Sequence, residues 1–411
     1  MSKLEELIQE LCPDGVETFP LEECCNILDK KRKPVTKNSR EKGEYPYYGA
    51  NGVQDYVSDY IFNGKFVLVG EDGSVITKSG TPVVTWAEGK IWVNNHAHVI
   101  EEKSGTMLRY LYFYIQTIDV TSLIHGNIPK LTGRDFRSLK IALPPLEIQR
   151  EIVSILDNFT ELTAELTAEL TARKTQYTYY RDKLLANSYK GEIKQLEECC
   201  DSIADGDHQA PPKADSGVPF ITISDIDERH EINLNVTKYV PDEYYNRLAD
   251  KRRPQKGDVL YTVVGSYGIP VYISENKRFV FQRHIAILRP NNAVIDSRYL
   301  YHAMNGTAFH RQADLAAKGA AQKTIGLASL AKMTVPVPPL DVQNRIVNVL
   351  DNFEKICSDL NIGLPAEIEA RQKQYEYYRD KLLTFAETGN TILSRAEQSR
   401  AEQSRAEQSR A

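Results

Sequence analysis

Residues able to carry chemistry occur along this 411-residue chain, but their spacing assembles no complete catalytic set. Gly73-Ser-Val-Ile-Thr-Lys78-Ser79 has the first glycine and the Lys-Ser end of a phosphate-cradling loop. Thr77 stands where a second glycine is needed for backbone N–H groups to close on phosphate, so the run reads as a turn among strands. No Gly-x-Gly-x-x-Gly opens a helix, and the Pro-Pro pairs are followed by Leu or Lys rather than by the aromatic residue of an adenine-methylating motif. Asp242 with Glu275 and Lys277 fits the loose carboxylate-and-lysine pattern of metal-dependent nucleases, a pattern short enough to arise by chance. His96 and His98, two apart, point to one face of a strand; a hydrogen-bonded or solvent-facing pair is the simpler reading than a metal site. Cys12, Cys24, Cys25, Cys199, Cys200 and Cys357 form no C-x-x-C and read as half-buried thiols in a reducing compartment.

What remains is binding chemistry. The formal net charge is −5, which argues against indiscriminate attraction to nucleic acid through bulk charge. Basic residues are instead concentrated locally, above all in Asp29 to Lys42, where Lys30, Lys31, Arg32, Lys33, Lys37, Arg40 and Lys42 face only Asp29 and Glu41. So few large apolar residues make this run a loop, whose uses are to neutralise phosphates or simply to be solvated.

The elements that must hold such a loop are readable on either side of it. Tyr45–Tyr48, Gly64–Val69, Thr81–Trp86, Ile91–Val93 and His96–Ile100 are β-branched and aromatic runs separated by Gly, Asn and Asp. Met107–Ile118 and Arg134–Leu139 read as helices, so the unit is of α+β class, ended by Pro144 and Pro145. No N-terminal apolar run resembles a signal peptide and none is long enough to span a bilayer, so a cytoplasmic setting is expected. The closing AEQSR repeats carry no apolar seam and read as a low-complexity tail.

The frame then repeats. Leu143–Leu185 begins LPPLEIQ, passes through LDNF and ends QYTYYRDKLL; Val337–Leu383 begins VPPLDVQ, passes through LDNF and ends QYEYYRDKLL. Leu21-Glu-Glu-Cys-Cys25 returns as Leu196-Glu-Glu-Cys-Cys200, and Arg109-Tyr-Leu-Tyr112 as Arg298-Tyr-Leu-Tyr301. Around His96 the chain reads VNNHAHVI and around His284 VFQRHIAIL, a shared strand with different contact residues. Ile148, Ile152, Ile155, Phe159, Leu162 and Leu166 follow a heptad spacing, as do Ile346, Val349, Phe353, Ile356 and Leu360, so the two helices are expected to pair as an antiparallel coiled coil. A tandem TAEL repeat places Leu162, Leu166 and Leu170 four apart, and each unit lengthens a helix by ~6 Å, making the repeat a candidate spacer ruler. Gly363 and Pro365 should kink the second copy. The expected organisation is a first recognition domain over 1–142, a spacer helix over 143–190, a second domain over 191–336, a second spacer helix over 337–388 kinked near 363–365, and the tail over 389–411.

These motifs, with YPYYGANG (Tyr45 to Gly52), GEDGS (Gly70 to Ser74) and NNHAHVI (Asn94 to Ile100), resemble the specificity (S) subunit of type I restriction-modification systems over all but the tail. The resemblance implies two target recognition domains related by a pseudo-two-fold repeat, joined by conserved spacer helices, in a subunit that is not itself catalytic. It implies double-stranded DNA, two methyltransferase (M) subunits and restriction (R) subunits as partners, with no cofactor on this chain. S-adenosylmethionine would belong to the M subunit, and ATP with Mg2+ to the R subunit. Reading a bipartite target needs phosphate contacts for register and polar side chains for base edges. In the first half the candidates are Lys30, Lys31, Arg32, Lys33, Lys37 and Arg40 for phosphate, with Asn51, Asn94 and Asn95 for bases. In the second they are His208, Gln209, Lys213, Lys251, Arg252, Arg253, Arg283, Lys318, Gln322 and Lys323. The other reading of the same sequence is a non-DNA interaction scaffold with paired domains on a coiled coil.

Overall fold

The structure, a computed structural model, describes residues 3–388 apart from 74, 188–191, 207–210, 228, 321 and 359–362. The AEQSR tail, His208, Gln209 and Leu360 therefore lie outside the described residues. The chain divides into two units, one made of Met1–Glu165 with Glu369–Ala411 and the other of Leu166–Ile368.

In the first unit six strands pair in the order Asn26–Ile27, Ala97–Glu101, Phe62–Gly70, Val84–Val93, Lys42–Gly49, Gly52–Val57. All neighbours are antiparallel except Lys42–Gly49 against Val84–Val93. The central strand is apolar on both faces because both are covered. Val67 and Val69 join a core with the helix Leu108–Ile115, while Phe66 and Leu68 point the other way, into a cluster with Ile91, Val93 and Val99. One expectation is corrected here: Thr81–Trp86 and Ile91–Val93 are not two strands, and a single strand Val84–Val93 runs through the intervening glycine. Gly89 (φ 85°) stands opposite Gly64 (φ 156°), so this pair bends the ribbon without ending it.

The second unit repeats the plan with more strand breaks. Cys200–Asp205, Ile285–Pro290, Val259–Thr262 and Pro270–Tyr272 form an antiparallel sheet, and Tyr239–Val240, Val218–Ile221 and Val280–Phe281 a smaller one. Both units close in the same way, through a ribbon of Thr18–Pro20 on Lys140–Ala142 in one and Glu192–Gln195 on Thr334–Val337 in the other. The first tyrosine of each Arg-Tyr-Leu-Tyr motif seals that ribbon: Tyr110 donates to the Ala142 carbonyl at 2.8 Å and Tyr299 to the Pro336 carbonyl at 3.1 Å.

Pro144-Pro145 and Pro338-Pro339 each deliver the chain into a helix whose first turn carries a fully buried glutamine. Gln149 accepts from the Met107 N–H (2.8 Å) and donates to the carbonyls of Gly105 (3.1 Å) and Pro144 (2.8 Å). Gln343 accepts from the Asp296 N–H (2.7 Å) and donates to Val294 (3.1 Å) and Pro338 (2.7 Å). Two turns on, Arg109 meets Asp157 at 2.7 Å and Arg298 meets Asp351 at 2.8 Å.

The first helical copy is one element, Leu146–Asn187, and the second is two, Leu340–Ser358 and Leu364–Thr388 with Pro365 in its first turn. Within each unit an LDNF segment meets a YYRDKLL segment. Phe159 stacks on Tyr378 (5.5 Å) in the first unit, and Phe353 on Tyr180 (5.9 Å) in the second. The expected heptad seam is corrected. Ile148, Ile152, Val153 and Leu156 are buried, with Leu162 37 % exposed; in the second copy Ile346 and Leu350 are buried, while Val349 (44 %) and Ile356 (46 %) face outward. The buried stripes follow the four-residue step because their main contact is the unit's own core, to which the partner helix adds tyrosine rings and leucines. Along Leu146–Asn187, the hydroxyls of Thr163, Thr171, Thr175 and Thr178 each donate to the carbonyl four residues earlier, at 2.8–3.0 Å.

Gln149→Ala leaves one buried N–H and two carbonyls without their partner and is expected to cost about 2–4 kcal/mol, read as a lower urea midpoint. Gln149→Glu, which loses the donors and sets a buried carboxylate against the Gly105 and Pro144 carbonyls, should be at least as destabilised as alanine at pH 7.

Candidate nucleic-acid interface

In both units the central strand ends in a glycine turn, and two further loops are hydrogen-bonded onto that turn in the same pattern. In the first unit the Glu71 N–H donates to the His96 carbonyl (2.8 Å), the Leu131 N–H to the Glu71 carbonyl (2.9 Å) and the Gly73 N–H to the Pro129 carbonyl (3.0 Å). In the second, Val263 donates to His284 (2.9 Å), Ile325 to Val263 (2.8 Å) and Gly265 to Lys323 (2.9 Å). Gly73 (φ 85°) and Gly265 (φ 74°) both need the left-handed conformation to present their N–H groups this way. The equivalence of the segments around His96 and His284 is thus a matter of matched backbone hydrogen bonds.

More of the first unit converges on this junction. The Asn94 N–H donates to the Tyr48 carbonyl (3.1 Å), and a Cβ on Gly70 would lie 3.0 Å from the Ala50 carbonyl oxygen, so the hairpin carrying Asn51 lies against the turn. A polar network lies beneath. His98, fully buried and stacked on Phe136 (4.1 Å), meets Asp29 through Nδ1 (2.7 Å) and the Leu131 carbonyl through Nε2 (3.2 Å). Arg32 donates to Glu71 (2.6 Å) and to the Ala97 carbonyl (2.7 Å), and Lys130 lies 3.4 Å from Glu71. Burial pushes the Asp29 carboxyl up, but the hydrogen bond and charge of His98, the Val99 N–H and Arg32 outweigh it and hold the group below its ordinary range. Asp29, Glu71 and His98 bring three potential ligand atoms within 4.8 Å of one another, and the cationic partners of the two carboxylates are already Arg32 and Lys130.

The candidate residues separate accordingly. Lys30, Lys31, Lys33 and Lys37 are exposed. Arg32 is committed to the buried network, and Arg40 donates to the Val35 carbonyl (3.1 Å) and Asp55 (3.2 Å) over the Tyr47 ring. Asn51 and Asn95 are exposed at loop tips, whereas Asn94 is 2 % exposed; it accepts from the His96 N–H (2.8 Å) and donates to Gln54 (3.3 Å). In the second unit Arg283, Lys318, Gln322 and Lys323 are exposed and come together at the junction. Lys251 is exposed elsewhere, Arg252 lies 3.9 Å from Asp205, Arg253 lies over the Tyr245 ring, and Lys213 is exposed on an irregular segment. Leu166 and Leu170 are half-buried along the long helix.

Three expectations about chemistry resolve at the same time. His96 and His98 do not share a face: His96 sits exposed in the turn before the strand, paired with Asp72, and His98 is interior. Asp242 pairs with Arg278 (2.5 Å) and Glu275 with Lys277 (3.4 Å), both at the surface. The cysteines are free, and burial pushes Cys25 and Cys200 up to about 12, so these thiols stay protonated and unreactive. The junction itself was not anticipated: it matches Pro129 with Lys323 and Leu131 with Ile325, different residues in each case, so only Gly73 and Gly265 mark it in the sequence.

The profile of the family described as "Type I restriction modification DNA specificity domain" matches residues 13–173 and 190–370. A putative type I restriction enzyme specificity subunit of Haemophilus influenzae is 35 % identical over 399 residues, covering 93 % of this chain and 98 % of its own. The EcoR124I/EcoR124II specificity subunit of Escherichia coli is 34 % identical, over 69 % of this chain and 72 % of that one. A crystal structure of the S subunit from M. genitalium superposes with a TM-score of 0.53 at 14 % identity, covering 90 % of this chain and 97 % of that one. That last likeness concerns the fold.

A carboxylate held below its ordinary pKa stabilises the fold fully above the unfolded value, about 3.9, and loses that contribution as pH falls through the lowered folded value. Asp29→Asn is therefore expected to be less stable than wild type by about 1–3 kcal/mol at pH 7, with the gap closing toward pH 3 in urea titrations.

Proposed function

The chain belongs to the type I restriction-modification DNA specificity family, and from that premise we propose that it is the sequence-reading subunit of a multisubunit methyltransferase and endonuclease. Each unit reads one short half-site of double-stranded DNA, and the bases between the half-sites are not read. Methyltransferase subunits, two of them, carry S-adenosylmethionine and modify adenine; restriction subunits carry ATP and Mg2+ and cut. This chain binds no cofactor, contributes no catalytic residue and works in the cytoplasm. No described helix is long and apolar enough to cross a membrane.

The observation that carries the reading is the duplicated junction: identical backbone hydrogen bonds in both units hold different exposed side chains. That is what two readers of unlike sequences require, since base identity is recognised by side chains placed on a rigid backbone. Exposed Lys30, Lys31, Lys33 and Lys37 in the first unit, and Lys251 and Lys213 in the second, are suited to phosphate.

Exchanging residues 195–336 for the corresponding stretch of a relative should change one half of the methylated sequence, read by long-read sequencing of adenine methylation in cells. A change in both halves would refute independent reading. Removing one TAEL unit takes out ~6 Å of helix against about 3.4 Å per base pair, so the unread spacer should shorten by one or two base pairs with both half-sites kept. An unchanged spacer with altered half-sites would contradict the ruler.

A further inference from the structure

The second loop of each junction is a β-hairpin, and the two tips differ in chemistry. In the first unit Ile124–His125 pairs with Lys130–Leu131, leaving a tip of Gly126, Asn127, Ile128 and Pro129. Gly126 takes φ 87°, Pro129 is fixed by its ring and by the bond from the Gly73 N–H, and between them Ile128 is 68 % exposed. In the second unit Lys318 and Thr324 exchange backbone hydrogen bonds of 3.0 and 2.8 Å, and the exposed Gln322 and Lys323 sit on the tip beside Gly265. Both tips are carried by backbone bonds to the end of a buried strand, so neither side chain is displayed on a wandering loop.

An isoleucine side chain has no donor or acceptor. Held out on a rigid tip, it recognises only another apolar group, and the apolar group that a base pair shows in the major groove is the thymine C5 methyl. Glutamine matches the N6 and N7 edge of adenine, and lysine the O6 and N7 edge of guanine. We infer that the hairpin tips are base-reading elements, with Ile128 packing on a thymine methyl in one half-site and Gln322 and Lys323 hydrogen-bonding purine edges in the other. This rests on the DNA-reading function proposed above and gives each half-site a distinct chemistry.

Base analogues test it on the full chain assembled with its methyltransferase subunits. The duplex carries the wild-type methylation sequence, and its half-sites are assigned by the domain exchange. Replacing the critical thymine by deoxyuridine removes only the methyl and should weaken wild-type binding about fourfold; Ile128→Ala should abolish that sensitivity while keeping full discrimination in the other half-site. Replacing a purine of the other half-site by its 7-deaza analogue should weaken wild type by at least about fivefold, and the Gln322→Ala, Lys323→Ala double variant should no longer respond. Discrimination in the untouched half-site shows that each variant is folded. Full analogue sensitivity in the variants, or a wild-type complex indifferent to deoxyuridine at every thymine of the first half-site, overturns the inference while leaving DNA reading intact. A wild-type complex with no preference for this duplex over a scrambled one overturns the DNA-reading function itself.

Discussion

A buried amide in the first turn of each long helix is the constraint on which the rest depends. The Pro-Pro pair needed to turn the chain out of its closing ribbon has no N–H groups of its own, and it leaves carbonyls facing the interior. Gln149 and Gln343 answer this with both ends of the side chain, joining the helix start to the loop before the Arg-Tyr-Leu-Tyr helix. Glutamine suits the place because it donates and accepts within one planar group and brings no charge into the core. The Arg109–Asp157 and Arg298–Asp351 pairs add a second attachment two turns later, each guanidinium lying over aromatic rings. The start of each long helix is therefore fastened to its own unit at two places.

At the other end of each unit the design separates frame from content. The part of the junction common to both units is built from backbone groups and a left-handed glycine, and in the first unit Asn94 and the His96–Asp72 pair brace it further. Ile128 in the first unit and Gln322 with Lys323 in the second occupy a frame that tolerates either, since the junction bonds run through backbone groups, Lys323 entering by its carbonyl alone. In the first unit the residues beneath the rim are less free. Asp29, Arg32, Glu71 and His98 satisfy one another in a region with little water, and removing one leaves charge behind.

Much of this was legible in the sequence where it was written as repetition. The Pro-Pro starts, the Arg-Tyr-Leu-Tyr pair and the two LDNF helices mark matching places because the same contacts are made twice. The junction stayed hidden because its common part is backbone, which constrains composition only at Gly73 and Gly265. Arg32 and Asn94 looked like surface readers since a basic or amide residue carries no mark of burial; Glu71 and Gln54, distant in sequence, claim them. Val84–Val93 was split by Gly89, whose usual meaning as a turn is reversed by the glycine across the ladder. The heptad reading failed at Val349 and Ile356 because it assumed that a helix packs only on a helix.

The threonines of the long helix return their hydroxyl protons to carbonyls of the same helix, four residues back. These hydroxyls are thus satisfied inside the helix, without a partner from another element. A four-residue unit whose hydroxyls are answered along its own helix leaves no hydroxyl stranded elsewhere when it is removed, so shortening the helix by one unit does not by itself unmake the core of either unit.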